Sequence, residues 1–271
     1  MAAMAEPRSI EVKNTHHIMV YDEEQVKAYG AKYCAGLNDT DGFVKYLYLA
    51  SRNKYAKKDG PGYKDTQAFN RITIYKDSGA AFLRYVKAYE VPIGVYVQHD
   101  ETPVEDATLV LYFILNPRST VNAFTALSNK VLKHLTGVAS MKLSRMESSY
   151  KSLLHASNAS KPYIELDIDV KDPDIIMLAR VAIQPFLQYE DCTVETHGGY
   201  HVVFKNMPKP AKSELWKEFN KMHWKYDGAD RHGKSIVKSM IDVRSDPSPP
   251  IPGTLQAGFK VRELVAFWSL D

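Results

Sequence analysis

The sequence has few cysteines and no long hydrophobic run. Its 271 residues include only two cysteines, Cys34 and Cys192. Because they are so few and form no Cys-x-x-Cys pair, the sequence is neither that of a disulfide-stapled miniprotein nor that of a zinc finger. We therefore expect an intracellular, reducing compartment. The longest predominantly apolar run spans nine residues, 107–115, about half the length of a membrane-spanning helix. The first residues also lack the basic start and apolar centre of a secretory signal, so we expect no membrane association.

No charge of one sign dominates the sequence. Lysine and arginine number 35 against 32 aspartates and glutamates, which gives a net charge of +3. A protein that holds nucleic acid by charge alone is much more basic. The balance still allows a nucleic-acid enzyme in which basic segments lie beside an acidic catalytic centre. With 45% apolar and 25% charged residues, the composition is that of an ordinary globular protein.

The first half of the chain alternates between predicted helices and strands. A helix is expected within about the first forty residues, followed by a basic loop at 51–66 that is rich in lysine and glycine. The next predicted elements are strand 69–75, helix 80–89, strand 93–98 and a buried strand at 107–115 that ends at Asn116-Pro117-Arg118-Ser119. Apolar residues at helical spacing then define one face of a further helix: Val121, Phe124, Leu127, Val131 and Leu135.

The second half restarts this pattern after a predicted linker at 155–161. The expected elements are strand 163–170, helix 173–187 opened by Asp172-Pro173, strands 192–196 and 200–204 joined at Gly198-Gly199, helix 213–226, a helix or strand at 236–243, and strand 260–268. This order predicts an α+β fold. We expect a small N-terminal α/β module, residues 1–154, and a ferredoxin-like catalytic sheet of the RNA-recognition type, residues 155–271, packed as one core.

The strongest single signal is the segment YIELDIDVKD at 163–172. Alternate side chains of a strand share one face, so Glu165, Asp167 and Asp169 line the face opposite the apolar residues, at intervals of roughly 6–7 Å. Three like charges in a row repel one another, and the arrangement makes sense if divalent cations bind there, because carboxylate oxygens suit Mg²⁺ or Mn²⁺. An edge strand with a hydrated acidic face explains the same pattern without a metal.

Two further segments carry polar side chains near predicted turns. In THGGYHVVFK, 196–205, two glycines permit a tight turn and the close approach of a ligand, and His201 follows just inside the next strand. In 242–264, Asp242 precedes a proline-rich turn that ends in Pro252-Gly253-Thr254 and is rigid enough to present donors to a polyphosphate. Taken alone, the first is also explained as a hairpin with incidental histidines and the second as a plain connector.

Together, these three segments resemble the motifs of the archaeo-eukaryotic primase superfamily, which includes primase small subunits and primase-polymerases. The aspartate pair of that family corresponds to Asp167 and Asp169, and its Ser/Thr…His strand corresponds to Thr196 and His201. Its third aspartate, which precedes a proline-rich loop, corresponds to Asp242. The resemblance covers roughly residues 105–268.

The resemblance implies a template-dependent nucleotidyltransferase, a DNA primase or primase-polymerase, that uses two Mg²⁺ or Mn²⁺ ions. The implied catalytic and metal-binding residues are Asp167, Asp169 and Asp242. The implied nucleotide-binding residues are Thr196, Gly199, His201, Arg118, Thr254 and Lys260. Gln256 departs from the pattern, because many members have histidine there. The implied partners are a single-stranded DNA template, an NTP or dNTP, and a helicase or other replication proteins in trans.

Two other functions remain open. A catalytically silent primase-like subunit would only bind nucleic acid, although clustered carboxylates without a cation would then cost stability. A metal-dependent nuclease would use the same acidic strand, but it leaves the glycine hairpin and the Pro-Gly-Thr turn unexplained. Whichever of these functions applies, the primase included, we predict that the basic loop tracks a nucleic-acid backbone, although a solvated loop has the same composition. Its candidate residues are Arg52, Lys54, Lys57 and Lys58.

Overall fold

In the part of the chain that the structure describes, two larger antiparallel β-sheets and two short β-ribbons form the framework. The computed structural model describes residues 15–37, 40–52, 55, 66–76, 78–97, 101–140, 142–157, 160–229 and 235–269. The helices are α1 (Glu23–Cys34), α2 (Gly79–Lys87), α3 (Thr120–Leu135), α4 (Met146–Ala156), α5 (Pro173–Ile183) and α6 (Lys209–Phe219). The strands are β1 (Phe43–Arg52), β2 (Thr66–Ile74), β3 (Leu109–Ser119), β4 (Tyr163–Ile168), β5 (Glu190–Glu195), β6 (Tyr200–Lys205), β7 (Lys225–Ala229), β8 (Ser235–Ser239), β9 (Ile241–Arg244), β10 (Leu255–Gln256), β11 (Phe259–Lys260) and β12 (Arg262–Leu264).

The first sheet has the strand order β2-β1-β3. One of its faces packs against α1 and α2 in a core that includes Tyr29, Leu47 and Phe82. The start of α3 and the end of α4 cover part of the other face, where Ala123 contacts the cluster around Tyr46. The sheet is therefore buried on both faces, and its strands carry long apolar runs rather than a strict alternation.

Side-chain caps fix the starts of four helices, and at the start of α2 the hydroxyl of Ser78 accepts from the backbone N–H of Ala81 at 3.3 Å. Asp22 accepts a hydrogen bond from the backbone of α1, and Ser119 accepts one from the backbone of α3. Asp172 accepts two from the first turn of α5, where Pro173 occupies a position that needs no backbone donor. The start predicted for α5 is confirmed.

The second sheet has the strand order β12-β5-β6-β4-β9, and every neighbouring pair is antiparallel. Along the chain, β4-α5-β5-β6-α6 follow in the predicted order, and the β7–β8 ribbon is inserted before β9. One face packs against α5 and α6, where Ile164, Leu166 and Ile168 contact Ile176 and Leu215. Helices and antiparallel sheets thus coexist in each half, and the predicted α+β class is confirmed.

The two halves share one hydrophobic core. Tyr163, Cys192 and Val203, on the other face of the second sheet, belong to the same buried cluster as Tyr33 and Cys34 of α1. Both cysteines are buried free thiols. Within the described ranges, no helix is long and apolar enough to cross a bilayer. The helix α4 continues to 156, so the predicted linker begins inside the last turn of a helix.

Several predicted elements of the first half differ from the structure. Residues 93–97 form turns rather than a strand, since Gly94 adopts a φ of +95°. The strand β1 was not predicted. The strand β3 does not end at Asn116 but continues through Pro117. The register of β1 shifts opposite this point, between Val44 and Tyr46, where a residue without an N–H disturbs the ladder least.

The end of the chain also differs from its prediction. The helix predicted at 213–226 ends at Phe219, and Trp224 is buried in a short 3-10 turn before β7. The strand predicted at 260–268 is reduced to β11 and β12, and β12 pairs with β5 at the far edge of the sheet. The strand that pairs with β4 is β9. It overlaps the segment 236–243, for which either a helix or a strand was expected.

Candidate functional site

Five polar side chains meet on three neighbouring strands of the second sheet. On β4, Asp167 lies directly opposite His201 of β6 on one side and opposite Asp242 of β9 on the other. Glu165, two residues earlier on β4, lies opposite Arg244 of β9. The alternation of side chains places all five on the face that points away from α5 and α6. We call these five side chains the polar face.

Glu165 and His201 form a buried pair at the centre of the polar face. The Nδ1–H of His201 donates to Oε1 of Glu165 at 2.5 Å, and the backbone N–H of Ser248 donates to Oε2 at 3.1 Å. Burial lowers the pKa of His201, but the charges of Asp167 and Glu165 outweigh it and raise that pKa above its ordinary value. Burial raises the pKa of Glu165, but His201 and Arg244 bring it below the ordinary value. Both shifts favour the charged forms of the pair, a carboxylate and an imidazolium.

Asp167 is held by two cationic groups. A guanidinium nitrogen of Arg244 donates to its Oδ2, and Nε2 of His201 lies 3.5 Å from its Oδ1. Burial raises the pKa of Asp167, and the carboxylates of Glu165 and Asp169 add to that effect. Two of the three acidic residues of this segment are buried: Glu165 is 0% and Asp167 is 6% exposed. The first sheet and the loop after β9 cover them.

Two aspartates remain exposed at the end of the polar face. Asp242 is exposed on β9, and Asp169 is exposed just beyond the end of β4, where its backbone N–H donates to the carbonyl of Met240. The structure thus sets two of the predicted metal ligands, Asp167 and Asp242, opposite each other on adjacent strands and leaves the third, Asp169, just beyond the end of β4. Among the described residues, however, no three His, Cys, Asp or Glu side chains are arranged as a ready metal site, and Arg244 is already bonded to Asp167.

The first sheet contributes aromatic and basic side chains opposite the polar face. Arg52 donates from Nη1 to the hydroxyl of Tyr112 at 3.0 Å, and the rings of Tyr112 and Tyr48 stack with centroids 5.1 Å apart. Burial lowers the pKa of Arg52, but Tyr112, Tyr55 and the carboxylate of Asp169 raise it above its ordinary value. Burial raises the pKa of Tyr112, and the charge of Asp167 contributes to the increase. These side chains therefore experience the field of the acidic residues across the interface between the sheets.

The glycine hairpin contacts β4 rather than open space. A Cβ placed on Gly199 would lie 1.7 Å from the carbonyl oxygen of Ile168. Thr196 is 3% exposed, and its hydroxyl accepts from the backbone N–H of Gly199 at 3.2 Å. The close approach expected for a ligand at Gly199 is therefore an approach of one strand to another, because the turn must fit against the end of β4.

The proline-rich loop is held by internal contacts. Arg118, 1% exposed, is paired with Asp246, and the Thr254 hydroxyl donates to the carbonyl of Ile251 at 2.6 Å. Gln256 accepts from the backbone N–H of His197 at 2.8 Å, which ties the loop to the glycine hairpin. Arg118 and Thr254, predicted as nucleotide ligands, thus already have protein partners. Lys260 is exposed, with its ammonium 5.3 Å from the ring of Tyr21.

The basic loop can be placed only at its start. Arg52 is described at the end of β1, whereas Lys54, Lys57 and Lys58 lie outside the described residues. Tyr55 is described, and its ring meets that of His197 at 4.7 Å. Tyr55 therefore lies beside the glycine hairpin.

Two functional candidates were missed in the sequence. Arg244 lies two residues after Asp242, and the alternation of a strand would have placed both on one face had β9 been predicted as a strand. Glu165 was recognised as acidic but not as the partner of His201. The signal for that pairing was present in the antiparallel order of β4 and β6, which sets position 165 diagonally across from position 201.

Comparisons with known proteins give this site no relative. No protein-family model matches the chain, and neither a curated protein nor a solved structure is significantly similar to it. Its function is therefore inferred from the site itself.

Proposed function

We propose that the protein is a template-dependent nucleotidyltransferase of the DNA primase or primase-polymerase type, which joins nucleotides with two Mg²⁺ or Mn²⁺ ions. The observation that carries this proposal is the register that sets Asp242 opposite Asp167, with Asp169 two residues further along the chain. Three carboxylates on two adjacent strands supply the oxygen donors that hard divalent cations prefer. The donor set fits the ions once the contact between Arg244 and Asp167 is released.

The chain's own residues have distinct roles in this proposal. Bound ions would activate the attacking 3′-hydroxyl and neutralise charge on the triphosphate. Asp167, Asp169 and Asp242 would hold them. Glu165 fixes the orientation of His201 through Nδ1, so the remaining Nε2–H of the imidazolium would donate to a phosphate oxygen. A protonated histidine suits that role because hydrogen bonds between charged groups are the stronger ones.

The remaining predicted nucleotide ligands divide into two groups. Lys260 is exposed and, with His201, is proposed to contact phosphate. Thr196, Arg118 and Thr254 have internal partners, and we propose that they hold the hairpin and the loop in place around the nucleotide.

A single-stranded DNA template is proposed to lie along the first sheet. Arg52 provides a cation for the phosphate backbone, and Tyr55 presents a ring beside it at the start of the basic loop. Aromatic stacking and basic side chains are the usual means by which single strands are held without sequence preference. Unwinding of a duplex would have to come from another protein, such as a helicase in trans.

One observation favours a second candidate, a non-catalytic nucleic-acid-binding protein. The ion pair between Arg244 and Asp167, together with that between His201 and Glu165, neutralises the buried carboxylates without any metal. The cost expected for unfilled carboxylates is thereby reduced. A silent relative that keeps the fold but not the reaction would have this arrangement.

Incubation of the full chain with a primed and an unprimed DNA template, labelled NTPs or dNTPs, and Mn²⁺ distinguishes the candidates. Extension or new primers support the proposal. Template binding without extension supports the non-catalytic candidate, and shortening of the template indicates a nuclease.

The variant Asp242→Ala, with Asp246→Ala as its matched control, tests the proposed ligand. Asp242→Ala should lower incorporation by at least about 100-fold and weaken Mn²⁺ binding, because it removes a metal ligand. Asp246→Ala should lower the melting temperature, because Arg118 loses its partner, but leave Mn²⁺ affinity within about twofold of the wild type. The opposite pattern would assign the third ligand to Asp246.

A further inference from the structure

The first sheet is left partly open along its edge strand, β2. On the face that carries Tyr46 and Tyr48, the start of α3 and the end of α4 bury Tyr46 but leave Arg71 exposed. Arg71 lies opposite Tyr48, and Tyr75, just beyond the end of β2, is 44% exposed. An arginine and a tyrosine are therefore both accessible along this edge.

Two further aromatic rings lie beside this edge. Phe124 of α3 is 57% exposed, and its ring centroid lies 4.6 Å from that of Tyr150 in α4. Burial raises the pKa of Tyr150, and the hydroxyl of Tyr75 adds to the increase. Burial likewise raises the pKa of Tyr46, with contributions from Tyr150 and Tyr75, so the three hydroxyls lie near one another. We call Arg71, Tyr75, Phe124 and Tyr150 the aromatic strip.

The aromatic strip carries cations without protein partners. Within the described residues, the guanidinium of Arg71 and the ammonium of the neighbouring Lys76 make no ion pair and no hydrogen bond, and both side chains are exposed. The adjoining segment 120–157 has five lysines and arginines against one glutamate, a net charge of +4. That glutamate, Glu147, already pairs with Lys151. The strip and its surroundings can therefore bind an anion.

The aromatic strip continues the surface on which the template is proposed to lie. Arg52 lies opposite Thr66, at the other end of β2, and with nine residues β2 is about 30 Å long. Between these two ends, the ring of Tyr48 stacks on that of Tyr112 beside the polar face, with centroids 5.1 Å apart. A strand of nucleic acid that follows this face of the sheet from Arg52 thus passes the polar face and reaches the strip.

We propose that the aromatic strip binds single-stranded DNA and extends the template path from Arg52 along β2 to α3 and α4. Bases stack on aromatic rings while phosphates contact cations, and the two together hold a single strand without sequence preference. An apolar protein surface fits less well, because it would bury Arg71 and Lys76 without partners. The proposal takes the identity of the strand from the proposed function, but binding at the strip does not require nucleotide transfer.

The test measures binding of the full chain to a fluorescent oligothymidylate of about 15 nucleotides by fluorescence anisotropy. A DNA duplex of the same length and vesicles containing about one third phosphatidylserine form the other two arms. We expect the single strand to bind at least about tenfold more tightly than the duplex, because paired bases cannot stack on the rings. The affinity should fall as salt is added.

Three variants locate the contact. Tyr75→Ala should weaken binding of the single strand by at least about fivefold. Phe124→Leu, which keeps an apolar contact with Tyr150, should weaken it by a similar factor because the ring is lost. Arg71→Gln should weaken binding and reduce the slope of log affinity against log salt by about 0.7.

Each kind of variant has a matched control. Tyr226→Ala removes a tyrosine of β7 that is 47% exposed, and Arg84→Gln removes an exposed arginine of α2, which covers the opposite face of the first sheet. Both controls should bind the single strand as the wild type does. Because all the changed side chains are exposed, melting temperatures should match that of the wild type, and that is checked.

Primer extension by the wild type is measured alongside, so that the two proposals can fail separately. Wild-type affinity for the single strand in all three variants would overturn the strip, even in a protein that extends primers. Equal binding of duplex and single strand would also overturn it, because stacking would not be used. Vesicle binding that is lost in the variants while DNA binding is kept would assign the strip to a lipid surface. Loss of DNA binding in the variants of a protein that extends no primer would support the strip and refute only the nucleotidyltransferase.

Discussion

The pair formed by Glu165 and His201 is the part of the site whose contribution to stability can be predicted most directly. In the variant Glu165→Gln, the side chain keeps its shape but loses its charge. The His201 imidazolium then has no carboxylate partner at its Nδ1, and the amide can serve only one of its two neighbours, His201 or the backbone N–H of Ser248, as an acceptor.

The expected loss is large because Glu165 is fully buried. Removing one partner of a buried ion pair costs about 3–5 kcal/mol, against a typical total stability of about 5–15 kcal/mol. For a chain of 271 residues, the entropy of unfolding is about 0.6 kcal/mol per degree. The melting temperature should therefore fall by about 5–9 °C.

The loss should depend on pH in a defined direction. The pKa of His201 is raised from 6.5 in the folded state. Its contribution to the free energy of unfolding is therefore complete below pH 6.5 and is lost as the pH rises through the folded-state pKa. The pKa of Glu165 is lowered from 4.5, so its contribution is complete above that value and is lost as the pH falls through the folded-state pKa. The difference in the free energy of unfolding between the wild type and Glu165→Gln should be greatest between about pH 4.5 and 6.5.

The assay is urea denaturation with a chelator present, repeated across this pH range. The matched control is Glu147→Gln, whose carboxylate is 81% exposed and pairs with Lys151 one helical turn away. That change should leave the free energy of unfolding nearly unchanged, because an exposed ion pair contributes little. If Glu165→Gln were no more destabilising than the control, or if its effect grew at high pH, the assignment of a charged pair would be refuted.

Three further changes test other parts of the structure. Arg244→Gln should tighten Mn²⁺ binding in an electron paramagnetic resonance titration by about tenfold, because it removes the cation from Asp167; unchanged affinity would show that Arg244 does not compete. Gly199→Ala should cost about 3 kcal/mol or more in thermal unfolding, since its Cβ would meet the Ile168 carbonyl; a normal melting temperature would contradict the contact. Burial lowers the pKa of Lys45 from 10.5 to about 8. Lys45→Met should therefore raise the free energy of unfolding at pH 7 by up to about 3 kcal/mol. This gain should shrink as the pH rises from 8 to 10.5. If urea denaturation showed no increase in the free energy of unfolding at pH 7, the cost of burying a charged Lys45 would be contradicted.

The parts of the fold that sequence patterns predicted are those with a clear period. The strand β4 alternates apolar and acidic residues, and α5 begins with a side-chain cap and a proline, so both were found. The strand β1 was missed because it is buried on both sides along most of its length, which removes the alternation that reveals a strand. The segment at 93–97 was mistaken for a strand because β-branched residues outweighed Gly94.

The candidate site was partly predictable for the same reason. Alternation placed Glu165 and Asp167 on one face, and the register of the sheet sets His201 and Asp242 opposite Asp167. What could not be predicted is that this face is covered. The Ser248 N–H that bonds Glu165 is 83 residues away in the chain, and contacts at that separation leave no local pattern in a sequence.

The position of Arg244 has a consequence for how the proposed site would fill. Arg244 follows Asp242 by two residues on β9, so one strand carries both a proposed metal ligand and the cation bonded to Asp167. A guanidinium binds phosphate through two parallel hydrogen bonds, which a single carboxylate contact does not match. A triphosphate entering beside His201 would therefore draw Arg244 away from Asp167 and free that carboxylate oxygen. Nucleotide and cation would then each favour the binding of the other, because the same movement of Arg244 serves both.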